Sequence, residues 1–424
     1  MSQVKDQYED YPYPPIDEEN MDKVPFIIGE NLRDLNHWLY GGTETFRDHF
    51  RVLVAGAGTG DSAIYMADQL KLTNAEIVYL DFSLASMEIA QKRAEILGFT
   101  NIRFINDNIL NIPDLDLGTF DYINCVGVLH HLENPLEGLK ILKDLLSPKG
   151  AISLMVYGKI GRTGIYHMQD LLRLVNTDAK NKEQEIGNAK VFINNLPRNN
   201  WFNRGNVLAV GDHITFGDVG IYDLFLHKQD VAYTILELHQ LIEQSGLKFI
   251  DYSCPTERVK LDIKQYINDV TVINKVKKLG LINEQYICEL LVGDIIKHQV
   301  YLTNKINIAD FTNESLQMIF TSIANPSKFL NDYIPDNAIS GVEIKCKIDT
   351  PYIKEQMISF KLTPYVKTIL NTTQDTSVSL GTMYDRVRET LTIDVDNKNL
   401  AQQFSIIFKD FIKHGVLSLN SFDK

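Results

Sequence analysis

The chain has few cysteines and no long apolar run, and both absences restrict what it can be. Its four cysteines stand far apart and form no C-x-x-C pair; they are Cys125, Cys254, Cys288 and Cys346. This spacing predicts neither a zinc site nor a disulfide framework, and it favours a reducing compartment. No stretch reaches the roughly 18 apolar residues of a transmembrane helix, and Met1 to Pro15 lack the basic-then-apolar pattern of a secretory signal. We therefore expect a cytoplasmic protein that holds no metal and enters no membrane.

Cationic side chains are outnumbered by acidic ones. The chain has 42 Lys and Arg against 55 Asp and Glu, which gives a formal net charge of −13. Because nucleic-acid affinity comes largely from Lys and Arg that neutralise phosphates, this balance disfavours DNA and RNA as partners. The short basic run at residues 274–278 has no interleaved aromatic residues and is typical of a solvated helix face. The 424 residues, 44% of them hydrophobic, predict a globular protein of two or three domains.

The chemistry-bearing motif is an apolar segment, residues 52–55, that runs into three alternating glycines. Gly56, Gly58 and Gly60 then open a predicted helix at residues 61–71. Glycine has no Cβ, so such a turn lets the backbone approach a ligand closely. The next apolar segment ends in Asp81, about 20 residues further on, which is the spacing at which a carboxylate accepts hydrogen bonds from ribose hydroxyls. Together the glycines and Asp81 predict a nucleoside site.

The glycine turn alone leaves the cofactor open, because nicotinamide, flavin and S-adenosylmethionine sites all use a strand, a glycine turn and a helix. Asp81 could instead cap a helix that starts at Ser83, and Asp107 could be an ordinary turn residue after a strand. Three later segments narrow the choice; they are Ile102 to Leu110, Phe120 to Leu132 and Gly150 to Gly158.

In this order and spacing, Phe50 to Tyr157 resembles the class I S-adenosylmethionine-dependent methyltransferases. The resemblance implies an α/β fold with a doubly wound seven-stranded sheet, and S-adenosyl-L-methionine as the cofactor. It also implies cofactor contacts: Gly56, Gly58 and Gly60 at the methionine half, Asp81 at the ribose, Phe82, Asp107, Asn108 and Ile109 at the adenine, and Cys125, Val126 and Gly127 near the sulfonium. Val54 stands where many members carry an acidic residue, so the partner of the cofactor's ammonium group stays unidentified.

Candidate substrate contacts lie in two places, after the predicted fifth strand and in the N-terminal arm before the cofactor-binding core. Ligands of doubly wound folds sit beyond the carboxyl ends of the strands, so Tyr157, Arg162 and Tyr166 are placed to contact a substrate, unless this segment is only a solvated loop. The N-terminal arm, Tyr8 to Pro15, contains closely spaced prolines and is expected to be extended. Its tyrosines, Tyr11 and Tyr13 among them, either cover a cationic sulfonium or pack on the domain surface.

A candidate acid–base pair lies further along the chain. Asp223 and His227 are four residues apart, so in a helix they share a face, and a carboxylate there can orient an imidazole for proton transfer. With Tyr157 they are the predicted catalytic residues. Alternatively, His227 is only a packing residue. His130 and His131 could compete for the role of base, but we expect them only to end the fourth strand and start the next helix.

The sequence predicts a core domain with additional segments before and after it and with an inserted segment inside it. A strand at residues 299–303 matches the reversed last strand of the family's sheet. The tail has nearly balanced charge, so we expect a protein-contact, dimerisation or packing module in place of a DNA-binding winged helix. The predicted segments are an N-terminal arm and helix (1–45), a cofactor-binding Rossmann-like core (46–165), an inserted lid (166–230), the rest of the sheet with a helical insertion (231–304), and a winged-helix-like or helical C-terminal module (305–424).

The predicted activity is direct in-line transfer of a methyl group to a nucleophilic N or O of a protein side chain or a small metabolite. The fourth strand ends in Asn124-Cys125-Val126-Gly127 and not in the Asn/Asp-Pro-Pro-Tyr-like box used on exocyclic amines, which disfavours a base methyltransferase. The alternatives are a non-catalytic S-adenosylmethionine-binding regulatory protein and a nicotinamide-dependent oxidoreductase. The sequence leaves open the acceptor, the use of a general base, and the oligomeric state.

Overall fold

A computed structural model describes residues 2–204, 211–321, 326–335, 338–349, 356–373 and 377–421. Part of the predicted inserted lid, residues 205–210, lies outside these ranges. Within the described ranges, none of the helices is both long and apolar enough to cross a bilayer.

The core is one mixed sheet of seven strands in the order β3-β2-β1-β4-β5-β7-β6. β1 pairs in parallel with β2 and β4, β2 pairs with β3, and β4 pairs with β5, whereas β7 runs antiparallel to β5. The predicted doubly wound seven-stranded sheet, with its reversed late strand, is therefore confirmed. Its strands are β1 (Arg51–Ala55), β2 (Glu76–Asp81), β3 (Ile102–Asn106), β4 (Phe120–Val126), β5 (Leu146–Tyr157), β6 (Lys248–Tyr252) and β7 (Lys297–Thr303).

Helices flank the sheet and fill its connections. Short 3-10 helices span Glu18–Asn20, Ile109–Asp114, Leu129–His131 and Ile263–Gln265. The α-helices up to β7 are α1 (Ser2–Asp10), α2 (Leu32–Leu39), α3 (Asp61–Leu70), α4 (Leu84–Leu97), α5 (Pro135–Asp144), α6 (Thr163–Val175), α7 (Lys182–Asn194), α8 (Trp201–Arg204), α9 (Asp212–Thr215), α10 (Gly217–Phe225), α11 (Ile235–Ser245), α12 (Pro255–Lys260), α13 (Val270–Lys277) and α14 (Leu281–Val292).

The first residues of α4 and of the N-terminal arm bear on two statements made from the sequence. Ser83 caps α4, because its side chain accepts the backbone N–H of Ser86, so Asp81 is not the helix cap. The N-terminal arm begins as the helix α1 and becomes extended only after Asp10, so the expected extended conformation at Tyr8 is wrong. The prolines that prevent a helix start at Pro12, and α1 ends before their effect on the backbone begins.

The chain separates into two compact units. The first contains Met1–Ile27, Arg47–Phe249 and Lys260–Asn304, and thus the arm, the predicted inserted lid and most of the sheet. The second contains Ile28–Phe46, Ile250–Val259 and Lys305–Lys424. This grouping differs from the boundaries drawn on the sequence, since α2 joins the C-terminal residues. The reason is backbone pairing inside the second unit, where Ala309 N–H donates to the His37 carbonyl (2.7 Å) and Ser421 N–H donates to the Gly42 carbonyl (2.7 Å).

The second unit has its own core around the last helix. Its α18 places Leu400, Phe404, Phe408 and Phe411 on one buried face, at helical spacing. The helical part expected of the C-terminal module is present, and the described residues of this unit also form two antiparallel strand pairs, β9–β10 and β8–β11. The elements are β8 (Gln317–Phe320), α15 (Pro326–Asn331), β9 (Glu343–Ile348), β10 (Gln356–Lys361), α16 (Val366–Thr372), α17 (Leu380–Leu391), α18 (Asn397–Lys413) and β11 (Leu417–Asn420).

Candidate active site

The three glycines after β1 adopt the left-handed backbone conformation. Their φ angles are +74° at Gly56, +52° at Gly58 and +98° at Gly60. A Cβ at Gly56 would lie 2.4 Å from the side chain of Val128, and one at Gly60 would lie 2.7 Å from Cβ of Ala90. Two of these glycines therefore allow close packing inside the protein, which agrees with the role of such glycines in strand-to-helix turns.

Asp81 ends β2 beside this turn. Its carboxylate accepts the backbone N–H of Gly58 (2.8 Å) on Oδ2 and that of Ser83 (2.8 Å) on Oδ1. Burial raises the pKa of Asp81, and the backbone donors oppose that rise. A carboxylate offers about four acceptor positions, so Asp81 retains capacity for further hydroxyl donors.

The other predicted cofactor contacts follow β2, β3 and β4 at the same carboxyl edge of the sheet. Phe82 is half-buried next to Asp81. Asp107 Oδ1 accepts from the Asn108 backbone (2.7 Å) and from the side chain of Asn111 (2.7 Å), so one oxygen is used in a local turn. Asn108 caps the 3-10 helix that contains the buried Ile109. Val126 ends β4 and is half-buried.

The N-terminal arm crosses the glycine turn. The Tyr13 carbonyl accepts the Thr59 N–H (3.3 Å), and the Pro14 carbonyl accepts the Thr59 hydroxyl (2.7 Å). A Cβ at Gly58 would lie 2.5 Å from the Tyr13 carbonyl oxygen, so this third glycine makes room for the arm itself. The tyrosines point toward the inserted segment: the Tyr13 hydroxyl donates to Asp212 (3.0 Å), and the Tyr11 ring stacks on Tyr222 at 5.2 Å.

Asp223 and His227 meet at Tyr8, an arm tyrosine that the sequence did not connect with this pair. The Tyr8 hydroxyl donates to Asp223 Oδ1 (3.1 Å) and lies 3.4 Å from His227 Nε2. α10 ends at Phe225, so the pair does not share a regular helix face as expected. The segment nevertheless brings both side chains to one oxygen atom. Asp223 is 6% and His227 1% exposed, whereas Tyr8 is only half-buried.

Gln229 orients two imidazoles. Its N–H donates to Nδ1 of His227 (3.1 Å), and its carbonyl lies 2.9 Å from Nδ1 of His131. An N–H only donates and a carbonyl only accepts, so the neutral rings carry opposite tautomers: His227 is protonated at Nε2 and His131 at Nδ1. The two rings stack at 3.9 Å. His131 therefore belongs to the cluster, although the sequence suggested only a strand end.

Burial decides the charge of this cluster. It raises the pKa of Asp223 to about 7, with a smaller opposing contribution from the Tyr8 hydrogen bond. Burial also raises the pKa of Tyr8, which Asp223 raises further, and it lowers the pKa of both His131 and His227. At neutral pH the phenol and the two imidazoles are thus uncharged, and Asp223 is the group that changes its protonation state.

A second group of contacts joins Tyr157, Arg162 and Tyr166. The Arg162 guanidinium covers the Tyr157 ring at 3.5 Å from its centroid and lies 3.7 Å from Asp230 Oδ2. The Tyr166 hydroxyl donates to the other oxygen of Asp230 (3.0 Å). The ring of His130 lies 3.9 Å from that of Tyr157. The three predicted residues, Tyr157, Arg162 and Tyr166, are therefore brought together, and Asp230 is the counter-ion that the sequence analysis missed.

Comparison with known proteins finds a described domain in part of this chain. Residues 53–152 match the family model of a methyltransferase domain. An uncharacterized protein of Synechococcus sp. is 33% identical over 257 residues, which are 58% of this chain and 58% of that protein. The tRNA 5-carboxymethoxyuridine methyltransferase of Escherichia coli is 31% identical over 112 residues, which are 26% of this chain and 41% of that enzyme. The chain thus spans less than two thirds of the length of these relatives.

Among solved structures, PKMT2 from Rickettsia typhi in complex with AdoHcy is similar with a TM-score of 0.61 and 17% sequence identity. The match covers 97% of this chain and 78% of that one. At this identity the likeness shows the shared fold, including the seven-stranded sheet.

Proposed function

Since residues 53–152 of this chain are a domain of the class I S-adenosylmethionine-dependent methyltransferase family, we propose that the protein transfers a methyl group in line to a nucleophilic N or O of a protein side chain or small metabolite. The fold it shares with PKMT2 and its sequence similarity to named methyltransferases support this proposal.

The observation that carries the proposal is Asp81 at the carboxyl end of β2, the edge of the sheet where doubly wound folds place the crevice for their ligands. Asp81 is held there by the Gly58 and Ser83 amides and keeps acceptor capacity for a ribose diol. Beyond β4, a Cβ at Gly127 would meet only the terminal methyl of Met155, at 3.5 Å, so side chains do not closely cover the backbone at this point. These residues fit a sulfonium nucleoside.

In this assignment Gly56, Gly58 and Gly60 border the methionine half, and Asp81 binds the ribose. Phe82, Asp107, Asn108 and Ile109 line the adenine, and Val126 lies near the sulfur. S-adenosylmethionine supplies, when bound, a methyl group on a positively charged sulfur that a lone pair can attack.

The acceptor side is built from aromatic rings and carboxylates. Tyr157 contacts both Arg162, which pairs with Asp230, and His131 of the Tyr8 cluster. We assign Tyr11, Tyr13 and Tyr166 to the same acceptor side. Aromatic faces attract cations, and a buried carboxylate whose pKa is raised to about 7 is partly ionised at neutral pH and can take up a proton. We assign to these residues the orientation of the acceptor, the exclusion of water and the removal of its proton by Asp223.

Transfer of radiolabel tests this function. The protein is incubated with S-adenosylmethionine labelled in its methyl group and an extract of the cells that produce the protein, and polypeptides are separated from small molecules. We expect label in one of these fractions, and the fraction names the acceptor class. The variant D81N should transfer little label, whereas D68N, which changes a surface carboxylate of α3 paired with Lys71, should behave as the wild type. Binding of the cofactor without label in either fraction would contradict methyl transfer and favour a regulatory protein.

A further inference from the structure

The N-terminal helix α1 brings Tyr8 into the cluster of Asp223 and His227, and the contacts around it are specific. Its hydroxyl donates to Asp223 Oδ1 and lies close to Nε2 of His227. Its ring meets Phe82 edge-on at 6.2 Å between centroids. Tyr8 thus lies between the residue that follows Asp81 and the carboxylate of α10.

The position of Tyr8 is fixed by its own backbone and its neighbour. The Tyr8 carbonyl accepts the hydroxyl of Ser83 (3.0 Å). The Glu9 carboxylate accepts the N–H groups of Leu84 (2.9 Å) and Ala85 (3.1 Å), at the start of α4, where the helix dipole favours a negative charge. α1 is therefore docked to the helix that follows the candidate ribose site.

The three members of the cluster, Tyr8, Asp223 and His227, differ in their exposure to solvent. Asp223 and His227 are buried, and Tyr8 is the one of the three that is only half-buried. The tautomer set by Gln229 leaves a proton on Nε2 of His227, so this nitrogen donates toward the Tyr8 oxygen and cannot accept a proton there. A proton that arrives at Tyr8 can therefore move on only to Asp223 within this group of three.

We propose that Tyr8 relays the proton of the methyl acceptor to Asp223, so that the N-terminal helix completes the active site. The inference rests on the proposed methyl transfer. As the acceptor atom bonds to the methyl carbon, the bond from that carbon to sulfur breaks and the sulfur leaves as the neutral thioether of S-adenosylhomocysteine. The acceptor atom releases one proton to the Tyr8 oxygen, and the hydroxyl proton of Tyr8 moves to Asp223 Oδ1. Tyr8 stays neutral throughout, and Asp223 later returns the proton to solvent.

The titration of Asp223 responds to several surrounding groups. The titratable and charged groups around it come from the arm, from β5 and from the segments that begin at α6 and follow α9 and α10. They are Tyr8, Tyr13, Tyr157, Arg162, Asp212, His227 and Asp230. Of these, the Tyr8 hydroxyl donates directly to the carboxylate, which stabilises its charged form and lowers its pKa. Loss of that hydroxyl must then raise the pKa of Asp223.

The test is a carbon-13 NMR titration of protein labelled at the aspartate carboxyl carbon, with the Asp223 signal identified by its loss in D223N. In Y8F we expect the Asp223 midpoint to rise by roughly one pH unit. Replacement of Tyr8 by a fluorotyrosine, a stronger donor of the same shape, should move the midpoint the other way. The matched control Y11F removes a hydroxyl of the same arm, on the ring that stacks on Tyr222, and it should leave the Asp223 midpoint in place. An unmoved midpoint in both Tyr8 variants would overturn the proposal.

Kinetics supply the second readout. We expect Y8F to lower the rate of label transfer roughly 100-fold or more, the range for a lost proton-transfer group, with the dissociation constant of S-adenosylmethionine unchanged. A Y8F protein with wild-type transfer rate would contradict the relay. Failure of the wild type itself to bind the cofactor would instead contradict the proposed function, so the two failures are distinguishable.

Discussion

The backbone amide of Gln229 donates a hydrogen bond to Nδ1 of His227 over 3.1 Å. This contact fixes the neutral His227 ring with its proton on Nε2, the nitrogen that faces Tyr8 at 3.4 Å. Burial, and next the neighbouring His131, lower the pKa of His227, which keeps the ring neutral near pH 7. In this cluster His227 therefore acts as a hydrogen-bond donor and not as the general base that its spacing from Asp223 suggested.

The donor role of His227 predicts unequal effects of its two amide replacements. The amide nitrogen of glutamine reaches the place of Nε2, whereas that of asparagine reaches only the place of Nδ1. We expect H227Q to keep label transfer within about tenfold of the wild type, and H227N to lose considerably more. Nitrogen-15 NMR of the wild type should show the Nε2-protonated tautomer. Equal activities of the two variants, or a proton on Nδ1, would show that the assignment is wrong.

Asp223 should make the stability of the protein depend on pH. Burial raises the pKa of Asp223 to about 7, whereas the pKa of an exposed aspartate is about 4. The protonated Asp223 contributes fully to the free energy of unfolding below about pH 4, and this contribution is lost as the pH rises through about 7. The reason is that the unfolded chain releases the proton at a lower pH than the folded protein does.

The variant D223N removes this loss. Its free energy of unfolding relative to the wild type should increase between about pH 5 and pH 7, by at most about 1.4 kcal/mol per pH unit. Urea unfolding at several pH values measures it. D218N, at an exposed residue of the same helix, is the control and should show no such trend. A difference between D223N and the wild type that is constant with pH would contradict the raised pKa.

Gly58 should tolerate no side chain. The variant G58A combines a positive φ with a Cβ 2.5 Å from the Tyr13 carbonyl, so the arm must move or the turn must distort. We expect a loss of about 1–3 kcal/mol in the free energy of unfolding, together with weaker cofactor binding. G187A in α7 meets nothing within 4 Å and should stabilise the protein by about 0.5–1 kcal/mol. Similar unfolding curves for the two variants would refute this account of the turn.

Arg162 and Asp230 should be energetically coupled. Their side chains are 4% and 0% exposed, so removal of one partner leaves a buried charge without its counter-ion. R162M should lose about 3–5 kcal/mol of stability, and the double variant R162M/D230N should recover part of that loss. Denaturant unfolding of the four proteins gives the coupling energy. Additive losses would mean that Asp230 does not compensate Arg162.

The sequence predicted the core because its signals are local. The glycines after β1 and Asp81 at the end of β2 each follow from a short pattern and its spacing, and the reversed strand β7 follows from the resemblance to the family. The Tyr8 cluster could not be found in this way, since the hydrogen bond from Tyr8 to Asp223 joins residues 215 positions apart. That contact depends on the packing of α1 on α4 and on the placement of α10, which carries Asp223.

The errors have a common physical origin. The prolines of the arm were expected to exclude a helix at Tyr8, but their effect reaches only the residues beside Pro12. The pairing of α2 with the C-terminal residues depends on backbone hydrogen bonds such as that of Ala309 to His37, which leave no mark in either local sequence. Counter-ions such as Asp230 likewise become visible only when the chain is folded.

Calorimetric titration of the protein with S-adenosylmethionine tests the central claim most directly. We expect saturable binding by the wild type and by D68N, and a loss of about 1.5–3 kcal/mol of binding free energy in D81N, the usual worth of hydrogen bonds to a charged group. Thermal melting without ligand checks that D81N remains folded. Absence of binding by the wild type, or equal affinity of a folded D81N, would contradict the assignment of the crevice beside Asp81 to the cofactor.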